Sequence, residues 1–269
     1  MKIKLINKGF SGALLALGIT SVAYAVPVNL NTWSAESYPA VSGFGAGAWT
    51  VSGDGSSVNQ SVNGQPTFFY SDFNTFGSSF TGSINVSGGD DDYIGFALGF
   101  NSGDTTNGAA DYLLIDWKQG NQNFDFGAPS TTPGSIAYSG LAVSRVTGIP
   151  TADEFWGHTD FATHTGGGVE ELQRATNLGS TGWTAGTTYD FTFDFGPNDL
   201  EVFVNGVLEL DITGSFNDGS FGFYNFSQAG VTYSGFEKEQ GSFSVPEPSV
   251  LLLLTIGLAG ITYTRRKKA

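Results

Sequence analysis

Asp90, Asp91 and Asp92 are adjacent and run directly into Tyr93-Ile94-Gly95-Phe96-Ala97-Leu98-Gly99-Phe100. Neighbouring carboxylates repel one another unless solvent or a cation screens them, and their oxygens are the hard ligands of which Ca²⁺ takes about six to eight. Asp90, Asp91 and Asp92 are therefore the candidate metal ligands, for Ca²⁺, against the plainer alternative of a solvated acidic turn. Successive side chains alternate along an extended chain. At most two of the three are then expected on one ion, unless the turn is tight, with the third serving a neighbouring ion.

Two other groupings invite a chemical reading. His158, Asp160 and His164 form His-x-Asp-x₃-His, a spacing that could hold a transition metal, but Gly166-Gly167-Gly168 follows and the stretch reads as a loop with exposed histidines. Glu209-Leu210-Asp211 alternates like the opening of a Glu-x-Asp-x-x-Glu or Glu-x-Asp-x-Glu glycosidase strand. The next residues are Ile212, Thr213 and Gly214, so the acid/base partner is missing and both carboxylates read as a solvent face. No Gly-x-Ser-x-Gly turn marks a nucleophile. The chain reads as a protein that is not an enzyme.

The elements that must position the aspartates are strands. Asp111-Tyr112-Leu113-Leu114-Ile115-Asp116-Trp117-Lys118-Gln119 reads as the antiparallel partner of Tyr93 to Phe100. Alternation puts Leu113, Ile115 and Trp117 on one face and Leu114, Asp116 and Lys118 on the other. In a hairpin, Asn101, Asp104 and Asp111 fall at the end away from the aspartates, which makes them weaker ligand candidates. Tyr189 to Phe195 places an aromatic at every second position, a half-buried strand. Leu200 to Val204, Asn205-Gly206 and Val207 to Ile212 spell a hairpin with a turn that suits strand twist. Late strands are expected at Gly219 to Phe226 and Val231 to Phe236, early ones at Ala48 to Ser52, Thr67 to Tyr70 and Ser79 to Val86. Only Asp153 to His158 and Glu170 to Arg174 read as helical turns. About a dozen short strands with Gly-rich punctuation give one all-β domain over residues 26–241.

Between residues 26 and 244 the only basic residues are Lys118, Arg145, Arg174 and Lys238, against 24 acidic ones, a net charge of −20. A surface so negative repels phosphate backbones and favours divalent cations, so nucleic acid is excluded as a partner. Cysteine is absent, which removes disulfides and thiol chemistry.

Both ends read as targeting segments. Lys2, Lys4 and Lys8 precede an apolar run and Ala23-Tyr24-Ala25, the pattern of a signal peptide over residues 1–25. Pro246-Glu247-Pro248 precedes the apolar run Val250 to Thr264 and then Arg265-Arg266-Lys267-Lys268. This run of 15 residues is shorter than a comfortable span of about 20. The basic end would hold the C-terminus on the cytoplasmic side. Residues 242–269 resemble the PEP-CTERM sorting signal of Gram-negative bacteria, with Pro246, Glu247, Pro248, Arg265 and Arg266 matching its motif and its basic end. The resemblance implies transient membrane insertion through the C-terminal hydrophobic helix, cleavage by an exosortase-type enzyme, and export to the cell surface or extracellular matrix.

A second resemblance covers roughly Ser79 to Phe236. Asp90-Asp91-Asp92-Tyr93-x-Gly95-Phe96, Trp117-Lys118-Gln119, Tyr138-Ser139-Gly140-Leu141, Trp156-x-His158-Thr159, Gly182-Trp183 and Phe226-Ser227-Gln228 stand in the order found in the thrombospondin C-terminal domain. The resemblance implies a concanavalin/L-type-lectin-like jelly-roll sandwich with Ca²⁺ at its rim and a role in adhesion. Here Gly157 separates Trp156 from His158, and Asp160 replaces a glycine of the family. The function expected is that of a non-catalytic, Ca²⁺-binding surface module engaging extracellular polysaccharide or matrix. The alternatives are a glycoside hydrolase of concanavalin-like fold and a purely structural surface protein.

Overall fold

The computed structural model describes residues 25–240. The expected signal peptide up to residue 24, the Pro-Glu-Pro motif and the C-terminal apolar run lie outside them. Among the described residues no helix is long and apolar enough to cross a membrane.

Two antiparallel sheets face each other. One has the order β12 (Gly167–Arg174), β11 (Gly140–Gly148), β8 (Asp111–Lys118), β7 (Tyr93–Phe100), β16 (Ser220–Phe226), β5 (Thr67–Asn74) and β2 (Ser34–Ser37). The other runs β15 (Val207–Thr213), β14 (Asp199–Val204), β13 (Thr188–Phe195), β6 (Ser78–Val86), β17 (Val231–Gln240), β4 (Ser57–Gln60) and β3 (Trp49–Val51), and β1 (Ala25–Pro27) joins it on β17. A small ribbon pairs β9 (Gln122–Phe124) with β10 (Ser135–Ala137). Three-residue strands such as these carry no readable period, which is why there are more strands than the sequence suggests.

Alternation explains the sandwich interior. Phe191, Phe193 and Phe195 of β13 and Val202 and Val204 of β14 meet Ile94, Phe96, Ile115 and Trp117 of the opposite sheet in one buried cluster. The hairpin between β14 and β15 turns at Asn205 (φ 50°) and Gly206 (φ 77°), both left-handed, the conformation that twisted strands require.

The outer face of the seven-stranded sheet is also covered. Tyr93, Ala97, Tyr112, Leu114, Tyr224 and Phe226 pack beneath helix α1 (Ala152–Gly157), whose Phe155 and Trp156 cap them. Thr151 and Glu154 exchange hydrogen bonds at the start of α1 in a capping box, and His158 (φ 46°) ends it. Every residue of β7 is consequently buried. The face assignment for Leu113, Ile115 and Trp117 holds, and the opposite face, with Asp116 and Lys118 fully buried, lies under a second apolar layer.

Glu170 to Arg174 is strand and not helix: it closes β12, with Arg145 opposite Glu170 and Val143 opposite Gln173. A single isolated helical turn pays the cost of nucleation for one hydrogen bond, whereas the edge of β11 offers a ready ladder.

Candidate functional site

Because β7 and β8 are antiparallel with Tyr93 opposite Lys118, the aspartate run and the Trp117-Lys118-Gln119 segment meet at one end of the sheet. Residues 87–92 form a bend that precedes the strand, so strict alternation does not apply there. Asp90, Asp91 and Asp92 each bring a carboxylate oxygen within 4.8 Å of the others. That bend is the tight turn under which more than two of the three could face one ion. The three differ in exposure, from exposed Asp90 through half-buried Asp91 to buried Asp92.

Lys118 enters this cluster from below. Its Nζ lies 2.7 Å from Asp92 Oδ1, 2.7 Å from the Asp91 carbonyl oxygen, 3.1 Å from Asp91 Oδ1 and 3.1 Å from Gln122 Oε1. It also sits 4.9 Å above the Trp156 ring. A buried ammonium needs this many acceptors to replace its hydration. Burial raises the Asp92 carboxyl and Lys118 pulls it back, leaving it at about 6.

The backbone of the run is fixed by the other motifs. The Asp92 N–H donates to Gln228 Oε1 (3.0 Å), and Trp183 Nε1 donates to the Asp92 carbonyl (3.0 Å). Trp117 Nε1 donates to the Thr181 carbonyl (2.7 Å) and Gln119 Nε2 to the Trp183 carbonyl (3.0 Å). Gly182 has no room for a side chain, since a Cβ would collide with the Gln119 carbonyl. The Tyr93 hydroxyl donates to the Trp156 carbonyl at 2.8 Å. Segments scattered over more than a hundred residues of chain therefore converge on one rim.

Asn63 and Ser227 complete the rim. Asn63 Nδ2 donates to Asp90 Oδ2, and Ser227 Oγ donates to Asn63 Oδ1 at 2.9 Å. Asn63, Gln122 and the counter-ion role of Lys118 were not readable from the sequence. Only Lys118, Ser227 and Gln228 carried a signal, as members of ordered motifs. Asp104 instead accepts the Asn101 N–H, and Asp111 is paired with Arg145 at 2.6 Å, at the far end of the hairpin as expected.

The donor set fits a hard divalent cation. Three carboxylates and one ammonium leave a formal charge of −2 when Asp92 is ionised, and Lys118 engages only Oδ1 of Asp91 and of Asp92. The ammonium leaves Oδ2 of each uncontacted, and carboxylate oxygens of this kind are the ligands that suit Ca²⁺.

His158 and His164 are not exposed as anticipated. The His158 side chain is 5% exposed, with Nε2 at 3.0 Å from Asp116 Oδ2 and Nδ1 at 3.2 Å from Glu171 Oε2. Burial lowers the imidazole, and the two carboxylates more than offset it, raising it to about 9. Burial likewise raises the Asp116 carboxyl against the pull of His158. Glu171 is held below the usual carboxylate range because contacts with His158 and Arg174 outweigh its burial. His164 pairs with buried Glu154 at 2.8 Å, away from His158's partners.

Asp211 is exposed, but Glu209 is buried, against expectation. A register shift between Val202 and Phe203 turns it inward. There its Oε2 accepts from the N–H groups of Asn177 (2.8 Å) and Leu178 (3.1 Å), so it fastens a loop.

Among solved structures, a carbohydrate-binding module from Bacillus subtilis is 12% identical, with a TM-score of 0.45 over 73% of this chain and 99% of its own. The exoplasmic/lumenal domain of VIP36 in its Ca²⁺/Man3GlcNAc-bound form is 10% identical, with a TM-score of 0.47 over 80% of this chain and 87% of its own. At these values neither likeness bears on function. No curated protein matches the sequence. Residues 244–268 match the PEP-CTERM protein-sorting motif. Residues 45–240 match the thrombospondin C-terminal region, and with its ordered motifs gathered on one rim the chain belongs to that family.

Proposed function

We propose that this protein is a non-catalytic, Ca²⁺-binding adhesion module exported to the surface of a Gram-negative bacterium, where it engages extracellular polysaccharide or matrix. The observation that carries the reading is the convergence of Asp90, Asp91 and Asp92 within 4.8 Å beside a single buried ammonium, a cluster whose residual charge matches one divalent ion. Asp90, Asp91 and Asp92 would hold Ca²⁺, with Asn63 beside them. When bound, the ion screens the carboxylates and offers a Lewis-acidic contact for sugar hydroxyls. The chain's own residues keep the rim rigid: Lys118 anchors Asp91 and Asp92 from below, and Gln228 and Trp183 pin the Asp92 backbone. Next to this segment stands Tyr138, 54% exposed and adjoining Ala137, which pairs with Gln122; its ring offers a stacking surface for a pyranose. The PEP-CTERM match supports processing of the C-terminal segment by an exosortase and surface display, and the signal-peptide pattern of residues 1–25 supports their removal on export.

Calorimetric titration and thermal unfolding test the calcium reading. An ion that binds only the folded state adds about 2.7 kcal/mol at a hundredfold excess over its Kd. Chelation should lower the melting temperature, and Asp90→Ala plus Asp92→Ala should abolish the chelator effect. Because Asp92 also holds Lys118, the single change Asp90→Ala, at an exposed position, should weaken Ca²⁺ binding without loss of the fold. Undiminished binding by either variant overturns the assignment. A polysaccharide array read with and without chelator tests the partner, and cleavage of any saccharide would replace the adhesion reading with an enzymatic one.

A further inference from the structure

A groove of about 290 Å³ opens beside α1, away from the carboxylate cluster. Four prolines, Pro39, Pro66, Pro129 and Pro150, are among its lining residues, with the buried rings of Tyr38 and Phe155. Proline locks φ, so this part of the lining is rigid before anything binds. The lining holds no carboxylate, ammonium or guanidinium group. His164 is its one titratable imidazole, and the Nδ1 of that ring is engaged by Glu154 at 2.8 Å.

One polar group in the lining is unexplained. Gln65 is 2% exposed, and its Nε2 has no hydrogen-bond partner. Buried amide donors are almost always paired, and an orphan calls for an acceptor supplied from elsewhere. The terminal torsion of glutamine is broad, so the amide can turn its N–H toward the groove without leaving a rotamer well. Its backbone is held in place: the Gln65 N–H donates to the Gly45 carbonyl at 2.8 Å. Two residues earlier on the same loop, Asn63 is bound to Asp90 and Ser227.

We propose that this groove is a subsite for the acetamido group of an N-acetylated sugar residue, with Gln65 Nε2 donating to the acetamido carbonyl. The proposal rests on the polysaccharide-binding reading and names the sugar class that reading leaves open. The volume lies at the lower edge of small-ligand pockets, roughly 300–1,000 Å³, which admits one sugar residue or its substituent and not a length of chain. An acetamido group presents a methyl to the proline lining and a carbonyl to the amide donor. An acidic sugar would find no cation in the lining, a plain hydroxyl would leave the apolar lining unfilled, and an alkyl chain would leave the donor unpaired.

The test compares chitotetraose with cellotetraose, which share a backbone and differ at the C2 substituent, binding to the ¹⁵N-labelled full chain. Chitotetraose should bind at least about tenfold more tightly, since a site with a buried donor rejects the analogue that lacks its acceptor. Its titration should shift the Gln65 side-chain NH₂ resonances in the wild-type protein. Gln65→Leu should remove that preference at an unchanged melting temperature. Equal affinity for the two tetrasaccharides, or chitotetraose binding that leaves the Gln65 resonances unmoved, overturns the subsite while polysaccharide binding stands. Absence of chitotetraose binding, with other polysaccharides retained on an array, also overturns the subsite alone. Absence of all polysaccharide binding overturns both.

Discussion

Lys118 Nζ stands 2.7 Å from Asp92 Oδ1, the ammonium fully buried and the carboxylate nearly so, at the point where β8 ends and the aspartate bend enters β7. An ion pair at this depth is costly to assemble and costlier to break, because the abandoned charge has no water to return to. Lys118→Met should therefore destabilise the domain by about 3–5 kcal/mol in the presence of chelator. Asp92→Asn should cost less, and the double variant should show strong coupling in a double-mutant cycle. Removing the ammonium also leaves the carboxylate cluster more negative, so Ca²⁺ should restore part of the stability lost in Lys118→Met. Additive single effects in denaturant titrations would show that the pair does not act as a unit.

Trp117 lies on the inner face of β8, 1% exposed, with its ring 4.7 Å from Tyr189 and its Nε1 bonded to the Thr181 carbonyl. Truncation opens a cavity and leaves that carbonyl unpaired. Trp117→Ala should cost about 3–5 kcal/mol. For a domain of this size that corresponds to a fall in melting temperature of roughly 10 °C. An unchanged melting temperature would contradict the burial of this face.

The pairing of His158 with Asp116 and Glu171 makes stability depend on pH. Between 6.5 and about 9 the folded protein keeps a proton on His158 that the unfolded chain has released. Raising the pH through that window should lower stability, by an amount on the order of 3 kcal/mol. Below 6.5 both states are protonated and the contribution is complete. Urea midpoints measured from pH 6 to 10 should fall along this curve. His158→Gln should be less stable at pH 6 and should flatten the dependence.

Processing is checked by intact mass. Protein recovered from the envelope of its native host should lack residues from about Val250 onward, as the match at 244–268 to the sorting motif implies. A mature form that still ends at Ala269 would argue for retention of the tail.

Much of the fold was legible because burial on one face of a strand imposes a period of two. β13 and the β14–β15 hairpin follow directly from alternating aromatics and from Asn205-Gly206. The ordered motifs were legible as a resemblance, and those around Asp92, Gln119, Trp183 and Gln228 prove to be hydrogen-bonded to one another across the chain. Sequence reading failed where a single irregular residue resets that period. The register shift beside β15 carries Glu209 from the expected solvent face into a buried cap, and the bend before β7 lets three adjacent aspartates converge.

The sequence by itself determined the strand alternation, the acidic balance, the absence of disulfides and the sorting motif, since these depend on residue type and near-neighbour spacing. Tertiary structure alone decided which polar groups would be buried together. A second apolar layer under α1 takes Asp116, Lys118 and His158 out of water, and at low dielectric each must find its partner across the chain: Lys118 in Asp91 and Asp92, His158 in Asp116 and Glu171. Those pairings link residues up to 42 positions apart, a separation at which no local pattern records a contact.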